Sequence, residues 1–425
     1  MEGWRDCKLG ELLEIKHGYA FLGEHFADAG THIVLTPGNF YDEGGFKDKR
    51  EKEKWYTGPV PADYVLSEGD MIIAMTEQAE GLLGSSAIVP RSGTYLHNQR
   101  LGLVQLRDEP RTDRRFVYYL FNSKPVRQQI RASATGAKVR HTAPSRIADV
   151  KVNVPPLSIQ RRIAGILSTY EELIESNQRR IRILEEMTRA LYQEWFVDFR
   201  FPGHERAKLV PSSHRQIPAG WEARKLAEIA EVNRAQISAR TAPEQLHYID
   251  ISSVSPGQID SITTYSFADA PGRARRIVQH GDVLWSCVRP NRRSYALVID
   301  PEADTIASTG FAVLTAKSVP FTFLYAATTT DEFVGYLTNN ASGAAYPAVT
   351  AATFERAALL IPPPRLLDGF GLATIPMVEQ IHALQRQCRN LRETRDLLLP
   401  KLLSAGSVID RITTSADAHA TQVGD

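Results

Sequence analysis

Apolar and polar residues follow two different periods along this chain, and the change of period divides it into four parts. Short apolar runs punctuated by Gly, Pro and Asn, such as residues 70–75 and 101–106, are typical of strands and turns. A short helix is predicted at 116–123. Each mixed region is followed by a long stretch with apolar residues at alternating steps of three and four, which predicts a long helix. The predicted order is therefore mixed domain, long helix, mixed domain, long helix.

The second half of the chain repeats the first. The matching residues are separated by offsets that fall from 217 to 212 to 207, and the order of the matches is kept throughout. The matches are Trp4, Lys8, Leu9, Glu11 and Glu14 at 217, Gly69-Asp70 at 212, and Gly136 and Pro155-Pro156 at 207. Because the offset changes only where loops differ in length, we infer an internal duplication.

The two predicted long helices carry the heptad pattern of a coiled coil. In the first, the seam is Ile159, Ile163, Ile166, Tyr170, Leu173, Asn177, Ile181, Leu184, Met187, Leu191 and Trp195. In the second, it is Ile375, Val378, Ile381, Leu384, Cys388, Leu391, Leu398 and Leu402, with Arg395 interrupting the row. A polar seam residue such as Asn177 commonly fixes the register. We expect an antiparallel pair of helices, each about 60 Å long, that separates two similar domains.

Three segments carry a family resemblance. Residues 154–199, VPPLSIQRRIAGILSTYEELIESNQRRIRILEEMTRALYQEWFVDF, resemble the central conserved region of the specificity subunit of type I restriction-modification systems. The stretch LRETRDLLLPKLLSAG (391–406) is similar to the end of the distal conserved region, and both halves open with G-W-x-x-x-K-L-x-E. Residues 365–373 depart from the family's helix opening, so the second helix is expected to begin later or less regularly.

The resemblance implies an α+β fold with two target-recognition domains, each of which reads half of a split, asymmetric duplex site. The half-sites are expected about one helical turn apart, or slightly more. The implied organisation is a first recognition domain (1–155), a first spacer helix (156–200), a linker (201–216), a second recognition domain (217–363), a second spacer helix (364–406) and a flexible C-terminal tail (407–425).

The same resemblance implies partners. Two modification (methyltransferase) subunits would dock on the helices, and restriction (endonuclease/translocase) subunits would join where the system cleaves DNA. Adenine methylation and cleavage would belong to those partners. S-adenosylmethionine, ATP and magnesium would be bound by them, so no cofactor is expected on this chain.

Composition neither demands nor excludes a DNA partner. Lys and Arg number 50 against 49 Asp and Glu, whereas nucleic-acid-binding chains are often far more basic. Three scattered cysteines, no visible signal peptide and no apolar run of about 18 residues favour a cytoplasmic protein without a membrane span. The sequence has no phosphate-binding G-x-x-x-x-G-K-[ST] loop, no H-E-x-x-H and no G-x-S-x-G, so we expect no catalytic or metal residues.

Local charge selects the first pair of candidate DNA-binding segments. The stretch 289–295 of the second half offers Arg289, Asn291, Arg292, Arg293 and Tyr295 after a predicted strand. Arg can pair with guanine and Asn with adenine, and both also bind phosphates. The equivalent stretch of the first half, 76–86, is polar and acidic and offers Thr76 and Gln78. There Glu77 or Glu80 would either accept from cytosine N4 or simply face solvent.

Two further segments are candidates. The loop 135–145 contributes Lys138, Arg140 and His141, and its counterpart 342–352 contributes Tyr346, for which packing against its own loop is the alternative. The segment 97–100 contributes Asn98, Gln99 and Arg100 at the start of an apolar strand and is matched by 307–310.

Two questions stay open at this level. The aromatic residues between 192 and 201 either pack against a recognition domain, which we favour, or bind a partner subunit. The whole chain also admits a different function, a scaffold with two duplicated protein-interaction domains on a helical spacer and no DNA role. The near-neutral net charge favours that alternative, and the repeated motifs oppose it.

Overall fold

The structure is a computed structural model that describes residues 3–49, 53–77, 81–107, 110–212, 216–238, 240–343 and 346–404. The chain forms two compact units: unit 1 comprises Met1–Glu175 and Arg389–Asp425, and unit 2 comprises Ser176–Cys388. Each unit combines small sheets, short helices and parts of two long helices. The predicted α+β class with two similar domains and long spacer helices is confirmed.

Unit 1 begins with a domain of short strands and ends in a long helix. In chain order its elements are β1 (Arg5–Lys8), α1 (Leu9–Leu12), β2 (Leu13–His17), β3 (Phe26–Ala27), β4 (His32–Val34), β5 (Trp55–Tyr56), β6 (Met71–Ala74), β7 (Thr76–Glu77), β8 (Ser86–Ile88), β9 (Tyr95–Leu96), β10 (Leu101–Leu106), α2 (Arg114–Phe121), α3 (Lys124–Ala132), β11 (Arg140–His141), α4 (Pro144–Ala148), β12 (Lys151–Val154) and α5 (Leu157–Tyr192), which continues into unit 2.

Unit 2 repeats this plan. Its elements are β13 (Leu209–Pro211), β14 (Gln216–Pro218), β15 (Glu222–Lys225), α6 (Leu226–Ile229), β16 (Ala230–Val232), β17 (Gln245–Ile249), β18 (Val254–Ser255), β19 (Gln258–Ile259), β20 (Thr263–Ser266), β21 (Ala274–Ile277), β22 (Val283–Ser286), β23 (Tyr295–Leu297), β24 (Thr305–Ser308), β25 (Phe311–Ala316), α7 (Phe321–Thr328), α8 (Asp331–Asn339), α9 (Ala351–Arg356), β26 (Ala358–Ile361) and α10 (Pro364–Ser404), which continues into unit 1.

The main sheet and the terminal strand pair of the two units correspond strand by strand. Unit 1 has an antiparallel sheet in the order β2-β10-β6-β8, and unit 2 has its equivalent in the order β16-β25-β22-β23. The terminal pair β1-β12 is repeated as β15-β26. A second four-stranded sheet contains one parallel pair in each unit, β4-β9 and β17-β24. The predicted duplication therefore extends to the topology.

Each central strand lies between two cores, because its side chains alternate between the two faces of the sheet. In β6, Met71 and Ile73 join the core beneath α2, while Ile72 and Ala74 join the core on the other face. In β22, Trp285 and Leu284 divide in the same way. This burial on both faces explains why these strands are continuously apolar in sequence.

The repeated sequence motifs form repeated turns. The backbone N–H of Lys8 donates to the carboxylate of Glu11 at 2.8 Å, and Lys225 donates to Glu228 at 3.0 Å. The shared K-L-x-E pattern thus satisfies a free donor at the start of a short helix in each unit.

The two long helices run antiparallel within each unit. In unit 1, Glu171 of α5 pairs with Arg395 of α10, and in unit 2 Asn177 Nδ2 donates to Gln387 Oε1 at 3.3 Å. The predicted seam is right for the second helix, where Val378, Leu384 and Leu402 are buried.

In the first helix, some predicted seam residues are buried, whereas at other positions the buried residue is the next one along the chain. Ile163 and Asn177 are buried as expected, but Ile174 replaces Leu173, which is 48% exposed. Leu167 and Thr188 are likewise the buried residues. At these positions the predicted residue and the next one are both apolar or weakly polar. The spacing of three and four residues alone therefore does not identify which of the two is buried.

The expectation that the second helix begins late is wrong. Helix α10 begins at Pro364 and continues for 41 residues through the divergent segment 365–373. Leu367, Phe370 and Thr374 are buried at a spacing of three and four residues, so the segment supplies its own apolar face against the core of unit 2.

The aromatic residues after α5 pack inside unit 2, as favoured above. A π-helical turn, Gln193–Val197, follows α5, and Phe196 is 3% exposed. Its ring centroid lies 5.9 Å from that of Trp221 and 5.0 Å from that of Phe370. These edge contacts join the end of one long helix, the start of the other and the opening of the second domain into one core.

Candidate nucleic-acid interface

Three predicted segments of unit 1 meet where strand β6 ends. The N–H of Met75 donates to the carbonyl oxygen of Arg100 at 3.0 Å, and the Met75 carbonyl accepts from the N–H of Thr142 at 2.9 Å. The next two residues form β7, which pairs with β11. Backbone hydrogen bonds therefore join the segments 76–86, 97–100 and 135–145, which lie far apart in the sequence.

Unit 2 builds the same arrangement. The N–H of Cys287 donates to Gly310 O at 2.8 Å, and the Cys287 carbonyl accepts from Val349 N–H at 2.9 Å. Cys287 lies at the 212 offset from Met75, and Val349 lies at the 207 offset from Thr142. We call this arrangement the loop junction: residues 75–77, 98–100 and 135–142 in unit 1, and 287–289, 308–310, 342–343 and 346–349 in unit 2.

A glycine shapes the hairpin of each loop junction. Thr135 and His141 exchange two backbone hydrogen bonds of 2.9 and 2.8 Å, and Ser342 and Ala348 do the same. Between the first pair, Gly136 has φ of +100°, and a Cβ there would lie 2.0 Å from the carbonyl oxygen of Val139. The repeated glycine is therefore required by the backbone.

The hairpin of unit 1 presents basic side chains to solvent. Lys138, Arg140 and His141 are exposed, and Thr76 is half-buried opposite His141. Exposed cations on a fixed backbone suit contacts with phosphate oxygens. The structure thus brings together four of the predicted residues of this unit.

Glu77 has neither of the roles considered from the sequence. Its side chain is 2% exposed, so it does not face solvent, and its carboxylate accepts from the N–H of Leu83 at 2.8 Å and of Gly81 at 3.2 Å. Arg131 lies 3.7 Å away. Glu77 therefore holds the backbone of Gly81 and Leu83, and no pattern in the sequence indicates where those donors lie. Gln78 and Glu80 lie outside the described residues.

The segment 97–100 divides between a structural and an exposed half. Asn98 is 9% exposed, and its Oδ1 accepts from the N–H of Arg100 at 2.9 Å, which makes a turn. His97 is fully buried, and burial lowers the pKa of its imidazole to about 4. Gln99 and Arg100, which belong to the loop junction, are exposed.

The loop after Val288 has an unusual backbone. Arg289 and Arg293 have φ of +50° and +57° and flank a short 3₁₀ turn, Pro290–Arg292. Non-glycine residues adopt this conformation rarely, and such strain commonly accompanies functional sites. Asn291 and Arg292 are exposed at the tip, and Arg293 forms an ion pair of 2.5 Å with Asp331.

Arg289 and Tyr346 meet across the loop junction. The N–H of Arg289 donates to Pro347 O at 2.7 Å, and its guanidinium carbon lies 4.4 Å from the centroid of the Tyr346 ring. Tyr346 is 69% exposed, so its ring forms a platform for the arginine at the surface of the unit.

Tyr295 lies deeper than predicted. Its ring centroid is 4.9 Å from that of the buried Trp285, and burial raises the pKa of its hydroxyl. Its position supports the loop from below, and we assign it no contact with DNA.

Sequence reasoning missed Tyr19. Its N–H donates to His97 O at 2.9 Å and its carbonyl accepts from Gln99 N–H at 2.9 Å, so it borders the loop junction. The side chain is 38% exposed. Tyr19 reaches this position through its backbone hydrogen bonds with His97 and Gln99. No sequence pattern around Tyr19 predicts that contact.

Neither a metal site nor a membrane span is found in the part of the chain that the structure describes. Among these residues no group of three or more His, Cys, Asp and Glu side chains is placed to hold a metal ion. No helix among them is long and apolar enough to cross a membrane. The predicted tail, 407–425, lies outside the described residues.

The chain combines two repeated α+β domains, each with a loop junction, and two long helices, and known proteins resemble parts of this plan. Residues 1–186 match the family described as "Type I restriction modification DNA specificity domain". The chain is 23% identical over 300 residues to the type I restriction enzyme MjaIX specificity subunit of Methanocaldococcus jannaschii, which covers 68% of each chain. It is 29% identical over 115 residues to the MjaVIII specificity subunit of the same organism, covering 27% of this chain and 26% of that one.

A solved structure shares the fold. The S subunit of the type I restriction-modification system from M. genitalium superposes with a TM-score of 0.59 at 14% identity, over 95% of this chain and 97% of that one. This likeness shows a shared fold, and the family match covers residues 1–186 of the chain.

Proposed function

We propose that this chain is the DNA-recognition subunit of a type I restriction-modification complex and that it binds a bipartite, asymmetric duplex site. Each unit would read one half-site through its loop junction. The observation that carries the proposal is that both units hold the same backbone junction, at the sequence offsets of the duplication, with different exposed side chains. A shared frame with divergent side chains is what two independent readers of different sequences require.

Local charge supports binding despite the net charge of +1. In unit 1, Lys138 and Arg140 are exposed on the hairpin, and in unit 2 Arg292 is exposed at the tip of its loop. Phosphate contacts supply affinity, while a few side chains at base edges supply specificity.

We further propose that the long helices bind two modification subunits, and restriction subunits where the system cleaves DNA. Both helices carry large apolar side chains that are 48–80% exposed and that bound partner subunits would cover. These residues are Leu173, Ile183, Met187, Leu372 and Leu397.

Specificity subunits are the non-catalytic members of their complexes. We propose that methyl transfer to adenine and ATP-dependent cleavage occur on the partners, which would bind S-adenosylmethionine, ATP and magnesium. This chain would bind no cofactor, and the complex would act in the cytoplasm, where the host DNA lies.

The test is methylome sequencing of a host that carries this gene with its modification gene, compared with a deletion of this gene alone. We expect a split methyl-adenine motif that disappears on deletion. If an active methyltransferase keeps its full motif set without this chain, DNA specificity resides elsewhere.

That negative result would favour the scaffold alternative. A second measurement separates the two directly, because binding through phosphates weakens linearly in log salt. We expect the assembled complex to retain a labelled duplex at low salt and to release it progressively as the salt concentration rises. A scaffold would retain no duplex at any salt concentration.

A further inference from the structure

Arg289 and Tyr346 form a stacked pair in the loop junction of unit 2. By the offsets of the duplication, Arg289 corresponds to Glu77, and Tyr346 corresponds to Val139. In unit 1 the Glu77 carboxylate points inward and accepts from the N–H groups of Gly81 and Leu83, and a valine stands where unit 2 has Tyr346. The same backbone position thus has a structural role in one unit and carries a half-buried, stacked cation in the other.

The backbone holds Arg289 in one orientation. Its left-handed φ of +50° and its hydrogen bond to Pro347 O fix where the side chain leaves the chain. The Tyr346 ring then covers one face of the guanidinium. Stacking restrains the long side chain without itself using an N–H donor, so less conformational entropy is lost when the arginine binds a partner.

A planar, oriented guanidinium matches one base edge best. Guanine presents the O6 and N7 acceptors side by side in the major groove, and a bidentate arginine is the commonest specific contact to it. A phosphate contact needs no such restraint, and the neighbouring Arg292, exposed at the loop tip, is suited to it.

We propose that Arg289, held by Tyr346, reads a guanine in the half-site bound by unit 2. This inference rests on the proposed DNA-recognition function and adds the residue and the base. It also states why the two half-sites differ at this position: the corresponding side chain of unit 1, Glu77, is turned inward.

The experiment uses the full chain assembled with its modification subunits. The DNA is a panel of duplexes in which each base pair of the motif found by methylome sequencing is changed in turn. The dissociation constant of each duplex is measured at several KCl concentrations. For the natural chain, we expect one G·C pair whose replacement weakens binding roughly 5- to 150-fold. In R289Q and R289K this preference should fall below about two-fold, with preferences at the other positions unchanged.

The salt dependence distinguishes a base contact from a phosphate contact. R289Q removes a charge, and loss of a phosphate contact would lower the slope of log K against log salt by about 0.9. We expect an unchanged slope. A uniform loss of affinity across the panel, with a lower slope, would make Arg289 a phosphate ligand and overturn the proposal.

Matched variants test the platform. Y346F keeps a ring and should keep the guanine preference, whereas Y346A should lose most of it. R140K in unit 1 should leave this position unaffected. Thermal unfolding of each variant checks folding, and R289K provides the mildest change. If the natural chain shows no base preference at any position, the proposed function itself fails, whereas preferences that include no Arg289-dependent guanine refute this inference alone.

Discussion

At the scale of the residue, Glu77 was a candidate for a contact with DNA, but its side chain stabilises the backbone of the same unit. Its carboxylate is buried and accepts from Gly81 and Leu83 N–H groups. We predict that E77A lowers the free energy of unfolding by about 1–3 kcal/mol, because two backbone donors lose their acceptor. E77Q, which keeps a carbonyl oxygen, should cost less.

Urea unfolding of both variants measures these costs. Equal stability of E77A and the natural chain would show that water replaces the carboxylate at no cost. A loss of stability in E77A would support the structural role assigned to this carboxylate.

His97 predicts a dependence of stability on pH. Its Nε2–H donates to Leu101 O at 3.0 Å, Nδ1 is buried without a hydrogen-bond partner, and burial lowers the pKa from 6.5 to about 4. The unfolded chain therefore binds a proton at higher pH than the folded chain does. The stabilisation is complete above about pH 6.5 and is lost as the pH falls towards 4, by about 1.4 kcal/mol per pH unit.

The control is H97Q, which does not titrate. Urea unfolding between pH 7 and 4.5 should give a steeper loss for the natural chain than for H97Q, since carboxylates contribute equally to both. Parallel curves would contradict the assigned environment of this imidazole.

At the scale of the element, the hairpin that ends in β11 depends on Gly136. A methyl group there would overlap Val139 O, and φ is +100°. We predict that G136A costs about 1–3 kcal/mol and speeds hydrogen exchange of the amides of residues 135–142. The matched control is G165A in helix α5, where no atom lies within 4 Å of the added Cβ. That change should stabilise the helix by up to about 1 kcal/mol, and similar effects of the two substitutions would refute the assigned strain.

The long helices of unit 1 share a polar contact at the end of the seam. Arg395 lies 3.6 Å from Glu171, which also accepts from Tyr119 OH at 3.0 Å, and burial raises the pKa of the Glu171 carboxyl. Because about a third of the Glu171 side chain is exposed, we predict that R395M costs about 1–2 kcal/mol, less than for a fully buried pair. In E171Q/R395M, where no charge is left, part of this loss should be recovered. A double variant as unstable as the sum of the single variants would contradict the contact.

The helices also show what sequence reasoning supplied and where it stopped. The heptad spacing predicted both helices and the polar seam residue Asn177, whose partner Gln387 the sequence could not identify. The spacing predicted Leu173 as the buried residue, but the structure buries Ile174. Both side chains are apolar, and which of them is buried depends on how the opposing helix packs. Similarly, Tyr346 was a candidate, but its stacking on Arg289 depends on a backbone pairing over more than fifty residues.

At the scale of the whole molecule, the duplication implies that the two α+β domains are interchangeable. Both begin with a tryptophan and K-L-x-E, contain the same loop junction and end in a strand followed by Pro-Pro. Trp4 corresponds to Trp221, whose ring lies 5.6 Å from that of Phe201 and anchors the second domain. A domain transferred at these boundaries would therefore bring an indole to the same position.

We predict that replacing residues 221–361 with residues 4–154 creates a chain that recognises the same bases in both halves of its site. Specificity would follow the transferred loop junction, because the helices that we propose as the partner-binding elements are retained. Methylome sequencing reads both halves at once, and the reciprocal replacement of 4–154 by 221–361 is the matched control, which should duplicate the other half-site. If either chimera is active and its motif keeps two different halves, base recognition depends on the position of a domain in the complex and not on its own loops.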